Sequence, residues 1–302
     1  MRIAFLILSV ASLVPAPLRA QNVLTIQGGA PTLVGSAEGG FANSDVVEER
    51  LGPSPFPRKH LAGVRYEPLE LSFSPNQCTD LFDMIDGFLS SNYQRKDGEL
   101  LVADARGRIV RRLRFYFALL ESVTLPGTGT SGDPAAVRVS LAPEFTRLDF
   151  PGGRVALPAV QSPATGLRAI LALDGLPPAD VVTEPITITR PLVEDPIGEH
   201  RDYEREPGSF EIPNLTLGIP ESALAPFLAW YEDFVIRGNN GQDQEKNGAL
   251  AYQSANGAGV LTIEVRGAGI HALRPLADGS WEIGLYAEEV GISNDHPCPV
   301  VP

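Results

Sequence analysis

The clearest hydrophobic pattern in the chain is a helical stripe between Pro220 and Gly238. Its apolar side chains recur three and four residues apart: Leu224, Phe227, Leu228, Tyr231, Phe234 and Val235. The segment from Ser74 to Ser91 repeats this stripe: Cys78, Leu81, Phe82, Ile85, Phe88 and Leu89. Ser74 and Pro75 are placed as a helix start, with Gln77 as a capping-box-like residue. Each segment is predicted to be a helix that packs on a core.

The two stripes belong to a longer internal repeat. In the first part of each copy, matching residues lie 146 positions apart: Cys78 and Leu224, Gly52 and Gly198, Leu69 and Leu215, Leu71 and Leu217. After the helix the matches lie 150 positions apart: Gly98 and Gly248, Leu113 and Ile263, Phe115 and Val265. An inserted loop explains the change of offset. The pattern predicts a tandem duplication of one domain.

The remaining patterns are typical of strands. In the first copy they are VRYEPLELSF, ELLVAD, IVRRLRFYFALLESV with a possible bulge, and AAVRVSLAPEF; in the second, VVTEPITITRPLVEDPIG indicates a pair of strands and VLTIEVRGAGIHAL one long strand. The segment from Gly52 to Gly63 has three prolines and two glycines and predicts a loop. The predicted fold class is mainly β (α+β): two tandem small antiparallel β-barrel or sandwich domains, each with one flanking α-helix.

The domain boundaries follow from these elements. We expect a signal peptide at 1–20, a first domain at 21–148, a linker rich in Gly and Pro at 149–164, a second domain at 165–290 and a C-terminal tail at 291–302. Each domain of about 130 residues is long enough to bury a core of its own.

The N-terminal segment predicts export. Arg2 is followed by an apolar run from Ile3 to Val14 and a cleavage site is expected between Ala20 and Gln21. A membrane anchor is the alternative, but the run is shorter than the roughly 20 residues of a spanning helix. No later segment is a candidate span, so we expect a periplasmic or secreted protein.

Charge excludes one class of partner. The formal net charge is −13, and removal of Arg2 and Arg19 with the leader makes it −15. The densest basic group, Arg108 with Arg111, Arg112 and Arg114, lies on a predicted strand and is read as a solvated face. Tight nucleic-acid binding through phosphate neutralisation is therefore not expected.

The chain has two cysteines, Cys78 and Cys298. An exported protein permits a disulfide between them. Cys78, however, matches the core residue Leu224 of the second copy, so a buried free thiol is equally compatible with the pattern. Both interpretations stay open.

No motif predicts a catalytic residue, a cofactor-binding residue or a metal ligand. The four histidines, His60, His200, His271 and His296, do not form a metal-ligand spacing, and no nucleophile motif is present. GTGTSG at 127–132 matches a dinucleotide-loop pattern but connects two strands, so a hairpin loop is favoured.

Two further features favour structural roles. GNNGQDQEKNG at 238–248, with Asn240, Asp243 and Glu245, lacks the spacing of an EF-hand and is read as a polar loop rather than a calcium site. Trp230 and Tyr231 lie on or beside the core stripe, so packing is favoured over a ligand platform.

An ordered set of motifs resembles the phage tail tube family, which includes the tube proteins of contractile injection systems. In the first copy these are GGFANSDVVEERLGPSPFPRKHLAGVRYEPLELSF, LFDMIDGFL, RKDGELLVADARGRIVRRLRFYFALLESVTLPG and AAVRVSLAPEF; in the second, FEIPNLTLGI, FLAWYEDFVIRG, KNGAL and TIEVRGAGIHALRP. The resemblance covers most of Gly39–Glu144 and of Leu167–Glu288.

The resemblance implies a β-barrel with a flanking helix that joins its neighbours edge to edge in rings, which stack into a tube without catalysis. It also implies that Gly52–Gly63 and its counterpart Gly198–Gly208 match the family's long inter-subunit loop. The doubling and the signal peptide depart from the family pattern. With two barrels in each chain, three chains would give a pseudo-hexameric ring.

Three functions are compatible with the sequence. The leading one is a non-enzymatic, self-assembling structural protein that forms rings or tubes outside the cytoplasm. The alternative is a monomeric secreted or periplasmic binding module on the same barrel. A secreted enzyme with a dispersed site is the third.

Overall fold

The computed structural model describes residues 20–27, 29–50, 52, 55–77, 80–90, 92–128, 134–158, 163–195 and 204–294. Antiparallel strands make up most of this part of the chain, together with two α-helices, which confirms the predicted fold class. No helix in these ranges is both long enough and apolar enough to cross a bilayer. The signal peptide up to residue 19, Cys78 and Cys298, and residues 129–132 of GTGTSG lie outside the described residues.

The first half contains ten strands and one α-helix in its described residues: β1 (Gln21–Ile26), β2 (Thr32–Val34), β3 (Ser36–Gly39), β4 (Ala42–Glu49), β5 (Arg58–Tyr66), β6 (Leu69–Phe73), α1 (Leu81–Leu89), β7 (Lys96–Ala103), β8 (Ile109–Leu125), β9 (Val137–Ala142) and β10 (Phe145–Asp149). The main sheet has the order β2-β1-β7-β8-β9-β6-β3. Gly35 alone separates β2 from β3, and its N–H donates to the Ser72 carbonyl at 2.7 Å. The sheet therefore returns on itself.

The second half repeats this arrangement: β11 (Arg168–Leu173), β12 (Ala179–Thr183), β13 (Ile186–Thr189), β14 (Leu192–Asp195), β15 (Glu204–Pro207), β16 (Leu215–Ile219), α2 (Leu224–Tyr231), β17 (Lys246–Gln253), β18 (Gly259–Pro275) and β19 (Trp281–Asn294). Six of these strands form a closed barrel in the order β11-β12-β16-β19-β18-β17. A π-helical turn, Glu232–Ile236, continues α2.

Strand registers correspond between the halves. The pair Asn22 and Val34 has its counterpart in Ala169 and Val181, 147 residues later. The pair Gly98 and Phe115 has its counterpart in Gly248 and Val265, 150 residues later. The β4–β5 hairpin corresponds in the same way to the β14–β15 hairpin.

The matching glycines Gly98 and Gly248 are explained by close backbone approach. A Cβ on Gly248 would lie 2.0 Å from the Ala172 carbonyl oxygen, and one on Gly98 would lie 2.6 Å from that of Thr25. A side chain at either position would push β7 or β17 away from its neighbouring strand. The glycine therefore permits close strand contact at the same point in each half.

Apolar side chains alternate inward along the barrel strands. β6 (LELSF) and β16 (LTLGI) bury their first, third and fifth residues, as period-two alternation requires. The helices close the core from outside: α1 buries Leu81, Ile85 and Phe88, whereas α2 and its π-helical turn bury Phe227, Trp230 and Phe234. Each half thus has the flanking helix that its stripe predicts.

Two boundary expectations were wrong for local reasons. The first helix begins at Leu81, and Gln77 donates its Nε2–H to the Leu33 carbonyl at 2.7 Å, which ties it to β2 rather than to a helix cap. The segment Gly52–Gly63 is only partly a loop, since β5 begins at Arg58 and pairs with β4. Its prolines all lie before that strand.

Two expectations about strand pairing and extent also need correction. The segment VVTEPITITRPLVEDPIG contains β12 and β13, but these do not pair with each other: β12 joins its own barrel and β13 pairs with β8 of the first half. β19 continues to Asn294, four residues into the expected C-terminal tail, because it pairs with β18 along its length.

Candidate assembly surfaces

The two halves join through a strand shared between their sheets. β13 of the second half adds to the end of β8, with Ile186 opposite Leu125 and Thr189 opposite Ser122. The hydroxyl oxygens of Thr124 and Thr187 lie 2.9 Å apart across this pair. An unpaired strand edge is a ready template for such an addition.

A bulge in β8 makes this edge available. Phe117 has a left-handed φ of 51°, and its N–H donates to Asp97 Oδ1 at 2.8 Å. β8 pairs with β7 only as far as Ala118, and beyond the bulge the same edge receives β13. A bulge redirects a strand in this way because the extra residue bends it out of the ladder.

The second half has the same bulge and an open edge. Gly267, 150 residues after Phe117, has φ 59° and donates its N–H to Asn247 Oδ1 at 3.1 Å. β17 pairs with β18 only as far as Ala268. From His271 to Pro275 this edge has no strand partner in the part of the chain that the structure describes.

A buried threonine pair reinforces the joint next to β13. Thr128 and Thr183 exchange hydrogen bonds: the Thr183 N–H donates to Thr128 Oγ1 at 2.8 Å, and the Thr128 N–H donates to the Thr183 carbonyl at 2.9 Å. The Tyr252 hydroxyl lies 3.3 Å from Thr183 Oγ1. Burial raises the pKa of Tyr252 to about 12, so it stays a neutral hydrogen-bonding group.

The β14–β15 hairpin docks on the first half through Arg205. This guanidinium donates to Glu194 Oε1 at 2.7 and 3.0 Å within the hairpin, and to the carbonyls of Pro143 and Tyr66 at 2.8 and 3.2 Å across the joint. Its side chain is only 6% exposed. A buried charge is tolerated here because its donors find acceptors.

Arg95 completes the contact from the opposite side. It donates to Glu144 Oε1 at 3.0 Å in its own half and to Glu206 Oε1 at 2.6 Å in the hairpin. The hydrogen bond to Glu206 is the largest cause that raises the pKa of Arg95. The two arginines thus stabilise the joint from both halves.

An aromatic cluster lies beside these arginines. The Arg190 guanidinium is placed over the rings of Tyr93 and Phe210, at 4.7 and 4.5 Å from their centroids. Phe210 also meets Phe88 of α1 edge to face at 5.3 Å. Tyr93 donates its hydroxyl to the Leu120 carbonyl, and burial raises its pKa.

The first-half hairpin β4–β5 has the same local chemistry without such docking. Lys59 and Glu48 form an ion pair of 2.5 Å, and they lie 146 residues before Arg205 and Glu194. The Lys59 side chain is 60% exposed, ten times more than that of Arg205. Val46, Val47 and Leu61 of the same hairpin are also exposed. In the part of the chain that the structure describes, this hairpin therefore corresponds to β14–β15 but is not docked in the same way.

A cleft of about 590 Å³ opens at one end of the second barrel. Its apolar lining includes Leu167, Val182 and Ile219, and acidic residues such as Asp278 and Glu282 also line it. The cleft could receive a small apolar or cationic group.

The sequence predicted no catalytic, cofactor or metal residues. Within the described ranges, no group of three or more His, Cys, Asp or Glu side chains is arranged to hold a metal ion. Trp230 is buried, with Phe234 at 5.9 Å and the Lys246 ammonium at 5.4 Å from its ring, so it packs in the core. His200 and His296 lie outside the described residues.

No family model matches the chain, and no curated protein matches it. Solved structures are similar to it, although at low identity. The cap that terminates the tube of the anti-feeding prophage is 17% identical, with 50% of this chain and 99% of the cap covered and a TM-score of 0.38. A sheath/tube terminator of the extracellular contractile injection system PVC is 21% identical, with 46% and 99% covered and a TM-score of 0.38.

A protein of the PVC sheath-tube complex is 18% identical, with 45% of this chain and 94% of that protein covered, again at a TM-score of 0.38. All three are components of contractile injection systems. Each match covers about half of this chain.

Sequence reasoning missed the residues that join the halves. Arg95, Arg190 and Arg205 look like ordinary surface residues in the sequence. One signal was present for Arg205: at an offset of 146 it replaces Lys59, and a guanidinium can satisfy several carbonyls at once where an ammonium cannot match the geometry.

Proposed function

We propose that this protein is a non-enzymatic structural protein that associates with copies of itself into rings or tubes. The observation behind this proposal is the joint between the halves. β13 occupies the free end of β8, while the corresponding edge of β18, His271–Pro275, has no strand partner among the residues that the structure describes. A contact between two different surfaces repeats from copy to copy and closes into a ring when the rotation permits.

The proposal includes a duplicated chain with the domains expected from the sequence, except that the second domain extends to Asn294, where β19 ends. The corresponding registers and the corresponding bulges at Phe117 and Gly267 support two domains of common origin. On this basis each chain supplies two barrels, and three chains make a pseudo-hexameric ring. The resemblance of the motifs to tail tube proteins is consistent with such a ring.

We further propose that the ring acts outside the cytoplasm, as a periplasmic or secreted assembly. The basic and apolar start of the chain supports export. The acidic surface favours partners other than nucleic acid.

Light scattering combined with negative-stain microscopy on the chain from Gln21 to Pro302 tests the self-association. Rings or tubes built from two-barrel chains are the expected result. A monomer at all protein and salt concentrations would overturn the proposal.

The cleft in the second barrel favours a second candidate, a monomeric binding module. Its volume of about 590 Å³ is within the range of small-molecule sites. A thermal-shift screen of small apolar cations would distinguish the candidates, because a binding module needs a ligand that a Val182→Lys variant, with a positive charge in the cleft, no longer binds. Val182 is exposed and pairs opposite Gly218, so this change leaves the barrel core intact.

A further inference from the structure

We infer that the second half of one copy binds the first half of a second copy. The contacts between the copies correspond to the three contacts that join the halves within the chain, and the charges of one of them are exchanged. This inference rests on the proposed self-association and assigns its residues. The joint within the chain supplies the template. Each residue of one half has a counterpart in the other half, 146 positions away before and within the helix and 150 positions away after it. Between β9–β10 and β19 the distance is 144 positions.

The first contact is strand addition. In the chain Thr187 lies opposite Thr124 and Ile188 opposite Val123. Their counterparts are Phe41 opposite Arg274 and Ala42 opposite Leu273, in a new antiparallel pair between two copies. Both edges are open in the described structure: β4 pairs only with β5, and the edge of β18 beyond Ala268 has no strand.

Burial at the corresponding positions agrees with this pairing. Ile188 is 1% exposed because it lies in the joint between the halves. Its counterpart Ala42 is exposed, although it has the same place relative to its own hairpin. The docked strand β13 therefore has a large, buried apolar side chain at this position, whereas β4 has a small, exposed one.

The second contact is electrostatic, and its charges are exchanged. Within the chain, Arg95 of the first half meets Glu206 of the hairpin. The counterpart of Arg95 is Glu245, and that of Glu206 is His60. The acceptor and the donor have changed sides together, so the contact remains complementary.

The neighbouring pair keeps opposite charges without an exchange of sides. Arg205 has Lys59 as its counterpart, and Glu144 has Glu288. The hairpin of a second copy would therefore bring Lys59 and His60 to Glu245 and Glu288. A surface that accepted this hairpin by chance would have no reason to keep the sign of each pair opposite.

The third contact is apolar. α1 packs against β19 of the second half, where Leu89 and Val290 line one groove and Asn294 Nδ2 lies 3.5 Å from the Gln77 carbonyl. The counterparts of this contact are α2 and β10. They expose Val235 and Ile236 on one side, and Leu148 and Phe150 on the other.

Two of these apolar side chains are largely exposed to solvent. Ile236 is 67% exposed and Phe150 is 72% exposed. Their counterparts are Ser90, which lines the groove between α1 and β19, and Asn294, which lies beside Gln77. Clusters of apolar residues on both sides of a predicted contact are typical of a protein interface. Together the three contacts identify a second copy of this chain as the partner that binds this surface.

Charge exchange provides the test, with sedimentation velocity on the full secreted chain as the readout. Glu245→Arg is expected to raise the dissociation constant at least about tenfold, because it meets Lys59 and His60. His60→Glu alone is expected to weaken association similarly. The double variant reproduces the Arg95–Glu206 arrangement and is expected to recover most of the affinity.

Asp174→Arg is the matched control, since Asp174 is an exposed acidic residue in a turn outside the three contacts. It makes the same change in net charge as Glu245→Arg. Thermal unfolding of each variant separates loss of association from loss of folding. The Tyr286 hydroxyl donates to Glu245 Oε1 at 2.8 Å. Should Glu245→Arg misfold through loss of this hydrogen bond, Glu288→Arg tests the same contact.

The outcomes separate this inference from the proposed function. If the wild-type chain does not associate, the proposed function fails and the inference with it. If the chain forms rings that Glu245→Arg and His60→Glu leave unchanged, self-association stands and this assignment of residues is overturned. Recovery in the double variant supports both.

Discussion

At the residue scale, Arg205 and Lys59 show how environment decides what a charge contributes. Both form an ion pair with a glutamate of their own hairpin. Only Arg205 is buried, and it also satisfies two backbone carbonyls. An exposed pair contributes little because water screens it, whereas loss of a buried partner leaves polar groups unsatisfied.

We therefore expect Arg205→Ala to lower the free energy of unfolding by about 3 kcal/mol. Lys59→Ala, the matched control at the corresponding position, is expected to change it by less than about 0.5 kcal/mol. Urea denaturation of both variants measures the difference. Equal effects would mean that the Arg205 contacts add no stability.

Phe117 holds an unfavourable backbone conformation that its counterpart Gly267 adopts without cost. A left-handed φ costs a residue with a Cβ about 1 kcal/mol, and Phe117 has φ 51°. Phe117→Gly is expected to be more stable than Phe117→Ala by about 1 kcal/mol, since both lose the contact with Phe145 and only alanine keeps the strain. Thermal unfolding compares them, and an alanine variant of equal or higher stability would contradict the strain.

Asp149 gives the fold a dependence on acid. The hydrogen bond from Arg112, at 2.8 to 2.9 Å, is the largest cause that lowers its pKa from 3.8. A lowered carboxyl pKa stabilises the fold fully above pH 3.8 and loses this effect as the pH falls through the folded pKa. We expect Asp149→Asn to reduce the melting temperature at neutral pH and to converge on the wild type once the pH has fallen below the folded pKa of Asp149. A constant difference across this range would show that the carboxylate charge is irrelevant.

At the scale of elements, the positions of the helices could be predicted from the sequence, but the burial of their outer faces could not. The apolar stripe places both helices, because a 3.6-residue period needs no knowledge of the partner. It also assigns Leu228 and Val235 to a core, yet both are exposed, whereas Phe82 and Leu89 at the corresponding positions of α1 are partly buried. Periodicity identifies a face that needs cover, but it cannot tell whether the same chain supplies that cover.

Because of this difference in burial, replacement by serine is expected to have different effects at the two corresponding positions. Leu89→Ser is expected to lower the free energy of unfolding by about 2 kcal/mol, because Leu89 packs against the core. Val235→Ser is expected to cost less than about 1 kcal/mol and to weaken self-association about tenfold. Chemical denaturation and sedimentation velocity measure the two effects. A Val235→Ser variant that associates like the wild type would remove α2 from the interface.

Strands were predictable in place but not in partner. The long apolar run that became β8, Ile109–Leu125, was expected as one strand with a bulge, and the bulge lies at Phe117. The pairing of β13 with β8 could not be foreseen, since alternation within ITIT fixes only which side chains share a face. The pairing depends on the bulge, 69 residues earlier in the chain.

At the scale of the molecule, the fold class was within reach of the sequence, because it rests on patterns that recur along the chain. The joint between the halves was not. It depends on Arg95, Arg190 and Arg205, whose partners come from distant segments and include backbone carbonyls. No residue type marks a carbonyl that will need a donor, so such contacts are read only from the folded chain.

The covalent link between the halves has a consequence for how an assembly would grow. One of every two contacts is already made within a chain, at an effective concentration that no free subunit reaches. A closed ring of such chains contains an even number of barrels, so rings of five or seven barrels are excluded by connectivity alone. Two barrels in one chain would thereby restrict the symmetry of a ring before any two chains had met.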